Sequence, residues 1–492
     1  MNWSALVRPG FVLAAISLMA VGDASAQEAS GKPNFLIIVT DDQGYADLRA
    51  YKHHAKDVKT PNMDRLASRG VLFTDAYASA PVCSPSRAGW VTGRHQVRWD
   101  PKSSFNCGLS KDDSHVAEIM KKNGYRTARF GKNDYGGSSL HRHNVREYPL
   151  NHGFDEFLGC SAHGHDFFLL SKDIQKRTPD PKGHSAVVGP LMHNRGVKEF
   201  KDGYLTEIFT DATIDFLKRH RKESFFVTLS YNSVHHLIHQ SPERYLDKYG
   251  VKEISNYDPN KDGSYAKWFQ QYIRLGKITA EEMRRYYLAN LNCLDDNIGR
   301  VLDSLNELKL ADNTVIIFFS DNGGAPTTGA SNLPLAGAKF SLWEGGIRVP
   351  FILSRPGDPH ADETWNQPVS TLDVLPTCLE AAGIRLPQAL DGRPIAKSDE
   401  SRDLFWRWGK EGYAVRSGDW KLLHNGTVSG RKPTAGIINR KNLTKGARLF
   451  NLKQDPGESR DLAKKHPEMT QRLRKLYADW SEEVAGGKQR AN

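Results

Sequence analysis

The chain has 492 residues, 39% of them hydrophobic, and its 68 lysines and arginines against 57 acidic residues leave a net charge of +11. That length can bury a large core and accommodates roughly one to three domains. It contains no internal repeat and no low-complexity tract, and no uninterrupted apolar run of the about 18 residues that argue for a membrane span.

The first 26 residues read as a leader. Arg8 precedes the apolar run "FVLAAISLMAV", and "ASA" stands directly before Gln27. A soluble mature chain is therefore expected from Gln27 onward, exported to the periplasm or secreted. The cut carries no cysteine for a lipid anchor, and no membrane partner is expected. A basic exported protein suits anionic partners. Its basic residues are spread along the chain without a nucleic-acid-binding motif, so nucleic acid is not expected; a simple solubilising surface accounts for the same balance. The cysteines are Cys83, Cys107, Cys160, Cys293 and Cys378. An odd count in an oxidising compartment leaves at least one unpaired, and Cys83 is the candidate.

The remaining pattern is α/β. Five strand-like runs appear in chain order: "NFLIIVT" (34–40), "RTARFG" (126–131), "FFVTLSY" (225–231), "TVIIFFS" (314–320) and "PFILS" (350–354). They alternate with longer segments of helical period, which predicts a mostly parallel sheet. The clearest helix follows Thr279. Thr279 with Glu282 forms a capping box, and Tyr287, Leu291, Leu294, Ile298, Val301, Leu305 and Leu308 recur every three or four residues. The stretch 245–278 is polar and aromatic with little periodicity, and reads as a surface insertion. From about residue 395 the texture changes to short antiparallel strands, in "YAVRSGDWKLL" and "ARLFNLKQDPGESRDL", followed by a helix near 467–484. The expected division is a catalytic domain over 27–394 and a C-terminal subdomain over 395–492.

Polar residues gather where the strands end. "NFLIIVT" is followed by Asp41 and Asp42, and "TVIIFFS" by Asp321, Asn322, Gly323 and Gly324. "RTARFG" leads into Lys132, and "FFVTLSY" into "NSVHH", with His235 and His236. Open α/β sheets bind ligands beyond the carboxyl ends of their strands. Three carboxylates and an amide oxygen on one rim suit a hard cation, Ca²⁺ or Mg²⁺, more than zinc. The same residue types also serve as turn and cap residues after strands. Arg87, Lys132, Lys339 and His235 would then surround that cation with donors for a tetrahedral anion. In "CSAHGHDFF" (160–168), Cys160, His163, His165 and Asp166 match no common zinc spacing, and pocket-lining or structural roles are the better reading.

At this point the residues resemble a known family. "CSPSR", followed by Thr92 and Gly93, resembles the C-x-P-S-R-x₄-T-G signature of type I sulfatases, and "GYRTARFGK" (124–132) their second signature, G-Y-x-T-x-x-x-G-K. "NFLIIVTDDQGYADL", "FFSDNGG", "LWEGGIRVPFI" and "LFNLKQDPGESRDL" are similar to further segments of the same enzymes, in the same order, over about 33–463. The resemblance implies an alkaline-phosphatase-like α/β/α fold with a small antiparallel C-terminal sheet, and hydrolysis of sulfate esters, with a sulfated carbohydrate as the expected substrate. It implies conversion of Cys83 to 3-oxoalanine (Cα-formylglycine) by a formylglycine-generating or sulfatase-maturating enzyme, the hydrated aldehyde being the nucleophile. It implies that Asp41, Asp42, Asp321 and Asn322 hold Ca²⁺, or Mg²⁺ in its place, together with modified Cys83. Arg87 would orient the hydrate, Lys132 and Lys339 would clamp the sulfate, and His235 would be the sulfate-binding general acid.

The chain departs from the family's G-K-x-H. It reads Gly131-Lys132-Asn133-Asp134, so Asp134 stands where a histidine is usual and could accept the same proton. The proline usual after the strand-end "N-A" is missing, and Trp90 replaces a common leucine. Two alternatives stay open: a phosphonate or phosphate-ester hydrolase with the same cysteine motif, and a catalytically silent sulfoglycan-binding protein. Phe167, Phe168, Trp268 and Phe269 are candidates for stacking on sugar rings. Asn425 and Asn442 begin glycosylation sequons, which matter only in a eukaryotic host.

Overall fold

The computed structural model describes residues 31–135, 145–160, 164–168, 191–200, 203–235, 237–254, 278–397, 402–425 and 446–486. The expected leader, His163, His236, Trp268, Phe269 and Asn442 lie outside the described residues.

The strands, in chain order, are β1 (Asn34–Thr40), β2 (Val71–Phe73), β3 (Ala76–Tyr77), β4 (Arg126–Lys132), β5 (Glu156–Cys160), β6 (Leu191–His193), β7 (Gly196–Lys198), β8 (Phe225–Ser230), β9 (Thr314–Ser320), β10 (Phe351–Ser354), β11 (Thr364–Trp365), β12 (Val369–Ser370), β13 (Asp403–Trp408), β14 (Gly412–Ser417), β15 (Trp420–His424) and β16 (Ala447–Asn451). The large sheet runs β11-β2-β10-β9-β1-β8-β4-β5-β6-β7. Its centre, β9-β1-β8-β4-β5, is parallel throughout. The run at 350–354 becomes β10, which pairs antiparallel with both β9 and β2. Expectation and structure therefore agree on a mostly parallel sheet with mixed edges.

All seven residues of β1 are buried, and they divide between two cores. Leu36 and Ile38 face one; Phe35, Ile37 and Val39 face the other. Successive strand side chains point to opposite faces, so a strand covered on both sides needs an apolar residue at every position. The first face is covered by α1 (Pro61–Ser68), α4 (Leu205–Arg219) and α6 (Ala280–Glu307), and the second by α2 (Cys83–Thr92), α3 (Val116–Lys122) and α8 (Val374–Ala381). The fold is an α/β/α sandwich. Trp90 is wholly buried on α2, edge-on to Phe319 with ring centroids 5.7 Å apart. A side chain of that size contributes about 2–3 kcal/mol by leaving water.

Thr279 starts α6 as its sequence requires: its hydroxyl accepts from Glu282 N (3.1 Å), and the Glu282 carboxylate accepts from Thr279 N (2.9 Å). Further along α6, buried Asp295 accepts from the backbone N–H groups of Asn62 (3.0 Å) and Met63 (2.8 Å), capping α1 from another helix. Of the 245–278 segment, read from the sequence as a surface insertion, only 245–254 and 278 are described, and 245–254 differ from that reading. Within it, Tyr245 and Leu246 on α5 (Glu243–Lys248), with Val251 and Ile254, are buried in the first core against α6. Their spacing is too short for a periodic signal, which is why the sequence did not show it.

The four C-terminal strands form an antiparallel sheet in the order β13-β14-β15-β16. Leu404, Trp406, Leu423 and Phe450 pack one face onto Tyr77, Val82, Leu342 and Trp343 of the body, and Leu473 of α9 (Pro467–Gly486) covers the other. Buried Lys421 bridges Glu344, which opens the short helix α7 (Glu344–Ile347), and Glu458, at 2.9 Å each. Among the described residues, no helix is long and apolar enough to cross a membrane.

Candidate active site

The parallel register sets the site. Thr40 of β1 aligns with Ser320 of β9, Val39 with Ser230 of β8, and Gly131 of β4 with Ser230. The residues after these strands therefore emerge on one rim. Backbone hydrogen bonds tie the rim together: Asp321 N donates to Thr40 O (3.0 Å), Asp41 N to Ser233 O (2.9 Å) and Val234 N to Asp41 O (2.8 Å). Two glycines permit the close approach. A Cβ on Gly131, at φ +108°, would lie 1.8 Å from Ser230 O, and one on Gly323 would lie 2.0 Å from Gly345 O.

Cys83 opens α2, whose ten residues are all buried, so the positive end of that helix lies at residue 83. Its thiol donates to Asp41 Oδ1 (3.4 Å) and lies 3.9 Å from Asp42 Oδ1, while Lys339 Nζ approaches the sulfur at 3.3 Å. Burial, reinforced by Asp321 and Asp41, pushes the Cys83 pKa well above the ordinary thiol range against the pull of Lys132 and Lys339. As an unmodified side chain it is a protonated thiol, not an activated thiolate.

Arg87 sits one turn along α2, wholly buried. Its guanidinium binds Asp321 Oδ2 through Nε (2.9 Å) and Nη2 (2.8 Å) and donates to Ser230 Oγ (2.6 Å). Lys132 Nζ donates to Asp41 Oδ2 (2.7 Å) and lies 3.1 Å from Asp134 Oδ2. Lys339 Nζ lies 2.7 Å from Asp42 Oδ1, and His235 Nε2 3.6 Å from Asp42 Oδ2. Burial opposes the charge of all three buried cations. Asp321 and Asp41 outweigh it at Arg87, Asp41 and Asp134 at Lys132, and Asp42 and Asp41 at Lys339, so each stays charged and its pKa rises.

Asp41, Asp42, Cys83, Arg87, Lys132, Asp134, His235, Asp321, Asn322 and Lys339, named from the sequence, thus lie along this rim. Asp41, Asp42, Cys83 and His235 bring ligand-capable atoms within 4.8 Å of one another. Asn322 Nδ2 donates to Asp42 Oδ1 (2.8 Å), and its buried Oδ1 has no hydrogen-bond partner among the described residues. Such an orphaned oxygen beside carboxylates fits a cation ligand.

Two residues were missed. Ser230 was hidden by its ordinary strand-end position. Arg129 is fully buried within β4 and donates to the carbonyl oxygens of Lys132 (2.6 Å) and Asn133 (3.3 Å); an arginine inside a buried strand was its signal. Cys160, already read from the sequence as pocket-lining or structural, ends β5 and meets Asn232 with Sγ 3.7 Å from Nδ2. Phe167 is not a sugar platform: it is buried and stacked on Tyr204 at 5.6 Å, and Phe168 packs against the same ring. His165 and Asp166 are buried, and Asp166 accepts from Gln240 (3.0 Å). All five cysteines are unpaired and buried, so its surroundings, rather than its lack of a disulfide, set Cys83 apart.

Comparison with known proteins agrees with this geometry. Residues 33–384 match the model of the Sulfatase family. The chain belongs to the sulfatase family. It is 29% identical over 481 residues to human N-acetylgalactosamine-6-sulfatase, covering 88% of this chain and 82% of that protein. It is 30% identical over 425 residues to arylsulfatase H of Canis lupus familiaris, covering 76% and 73%. The crystal structure of Ps i-CgsB in complex with k-i-k-neocarrahexaose superposes with a TM-score of 0.72 at 27% identity, covering 92% of this sulfatase and 93% of that chain. This sulfatase is accordingly a sulfuric ester hydrolase with an alkaline-phosphatase-like fold.

Proposed function

We infer that this sulfatase removes sulfate from a sulfated carbohydrate, with matured Cys83 as nucleophile and Ca²⁺ bound beside it. The observation that carries the reading is the convergence of Cys83, Arg87, Lys132, Lys339 and His235 on the Asp41–Asp42 rim. The carbohydrate is supported by a relative named N-acetylgalactosamine-6-sulfatase and a structural neighbour solved in complex with k-i-k-neocarrahexaose. The leader at 1–26 implies export, and the maturation of Cys83 implies a formylglycine-generating or sulfatase-maturating partner. Residues 27–394 would form the catalytic domain and 395–492 the C-terminal subdomain.

The donor set fits a hard divalent cation: carboxylates of Asp41, Asp42 and Asp321 and the orphaned amide oxygen of Asn322 would hold it next to residue 83. Bound there, the cation supplies Lewis acidity and stabilises an oxygen nucleophile at neutral pH. Conversion of Cys83 to the hydrated aldehyde supplies one hydroxyl to attack sulfur and a second whose deprotonation releases sulfate. Arg87, anchored by Asp321 and Ser230, holds positive charge behind residue 83. Lys132 and Lys339, already in contact with Asp41, Asp42 and Cys83, turn their ammonium groups onto the sulfate oxygens and stabilise charge as the ester bond breaks. His235 is placed to give the leaving alcohol its proton.

The test is free sulfate released from defined sulfated oligosaccharides by purified protein co-expressed with a formylglycine-generating enzyme. Turnover that requires the maturation enzyme and disappears in Cys83→Ala supports the reading. Sulfate release that is indifferent to Cys83→Ala contradicts it.

A further inference from the structure

Asp134 is wholly buried on the turn after β4, in the left-handed region at φ +47°. The turn is fixed from beneath by Arg129. That guanidinium donates to the carbonyls of Lys132 and Asn133, donates to Tyr135 Oη (2.9 Å) and lies 5.1 Å from the Tyr135 ring centroid. Asp134 thereby meets Lys132 Nζ at 3.1 Å, while the same ammonium donates to Asp41 Oδ2 at 2.7 Å. Lys132 is thus shared between a carboxylate of the cation-binding set and one outside it.

Among the described residues, the site sets buried Arg87, Arg129 and Lys132, with Lys339, whose side chain is 5% exposed, against buried Asp41, Asp42, Asp321 and Asp134. Of these carboxylates, Asp134 is the one not needed for the cation. It faces Lys132, Arg87, Arg129, Tyr135 and Cys160. Its negative charge subtracts from the positive field that Lys132 presents to a bound ester.

We propose that Asp134 is a specificity-determining residue that biases the site towards an ester carrying one negative charge and against one carrying two. The proposal rests on the sulfate-ester reading above. A sulfate monoester carries a single negative charge. A phosphate monoester carries close to two at pH 8, because its second pKa is about 6. At an effective dielectric of about 20, one carboxylate about 8 Å away changes the relative binding of a monoanion and a dianion by tenfold or more.

The experiment measures equilibrium binding of methyl sulfate and methyl phosphate at pH 8 to the full, matured, calcium-supplied protein. Wild type is compared with Asp134→Asn, Asp134→Ser and Asp134→Glu. Asparagine tolerates the left-handed backbone, and serine is a second neutral variant should asparagine not fold. The preference for methyl sulfate over methyl phosphate should fall about tenfold in either neutral variant and stay within about twofold in Asp134→Glu. A preference unmoved in the neutral variants, or moved equally by Asp134→Glu, overturns the proposal. Because the readout is a binding ratio, absence of sulfate release from the matured wild type would count against the hydrolysis reading and not against this one. Intact sulfate release with an unmoved ratio would count against this one alone.

Discussion

Lys339 Nζ lies 2.7 Å from Asp42 Oδ1 and 3.3 Å from Cys83 Sγ, so one ammonium joins the loop after β1 to the N-terminus of α2. Two residues before Lys339 is Gly337, at φ +78°, where a Cβ would lie 2.4 Å from Trp343 Cβ. The position of this charge is thus set by backbone geometry as well as by its ion pair. Lys339→Ala is expected to lower kcat/KM for a sulfate ester about 100-fold or more, the scale of removing one donor aimed at developing charge. Steady-state kinetics on the matured protein checks this; a change below about threefold would remove Lys339 from the chemistry.

Cation binding should appear as stability. A ligand that binds only the folded state at about 100 times its Kd adds about 2.7 kcal/mol. Thermal unfolding with excess Ca²⁺ should therefore have a midpoint several degrees above that with a chelator. Asn322→Ala, which removes the orphaned buried oxygen, should shrink that difference.

His95 gives a pH dependence of definite sign. It is 3% exposed, its Nδ1 accepts from Val97 N, and its Nε2 meets Phe405 O at 2.9 Å, an arrangement that fits the neutral ring. Burial lowers its pKa to about 4, against the opposing pull of Asp391. The unfolded chain binds the proton first, so His95 contributes stability that is complete above about pH 6.5 and is lost as pH falls towards 4. Between pH 7 and 5 that loss is about 2 kcal/mol. Urea unfolding of His95→Gln and wild type at the two pH values should show a fall smaller by that amount in the variant.

The buried Glu344–Lys421–Glu458 triad joins the C-terminal sheet to the helix that follows Lys339. Burial, with Glu344 close by, raises the Glu458 pKa to about 7 against the pull of Lys421. Lys421→Met leaves two buried carboxylates without their shared cation and should cost about 3–5 kcal/mol, the scale for breaking a buried pair. Denaturant midpoints test it, and the loss should be smaller at pH 5 than at pH 8, where both carboxylates are ionised.

Much of this architecture was legible in the chain itself. "NFLIIVT" and "TVIIFFS" are apolar at every interior position because both faces are covered, and Asp41–Asp42 and Asp321–Asn322 mark where they end. Thr279 and Glu282 announced the start of α6. Other features depend on contacts that no local pattern encodes. Nothing in "PFILS" distinguishes a parallel from an antiparallel neighbour, and β10 is antiparallel. Phe167 looks like any aromatic near a site until Tyr204 is seen stacked on it. Ser230 becomes notable only once Arg87, 143 residues away in sequence, is seen to donate to it.

The central claim is that residue 83 works as an aldehyde hydrate held against Asp41 and Asp42, not as a sulfur nucleophile. Mass mapping of the peptide containing residue 83, on protein whose sulfate-releasing activity has been titrated, tests this directly. Formylglycine content that rises in proportion to specific activity is the expected result. Full activity in protein that carries only cysteine at position 83 would contradict it.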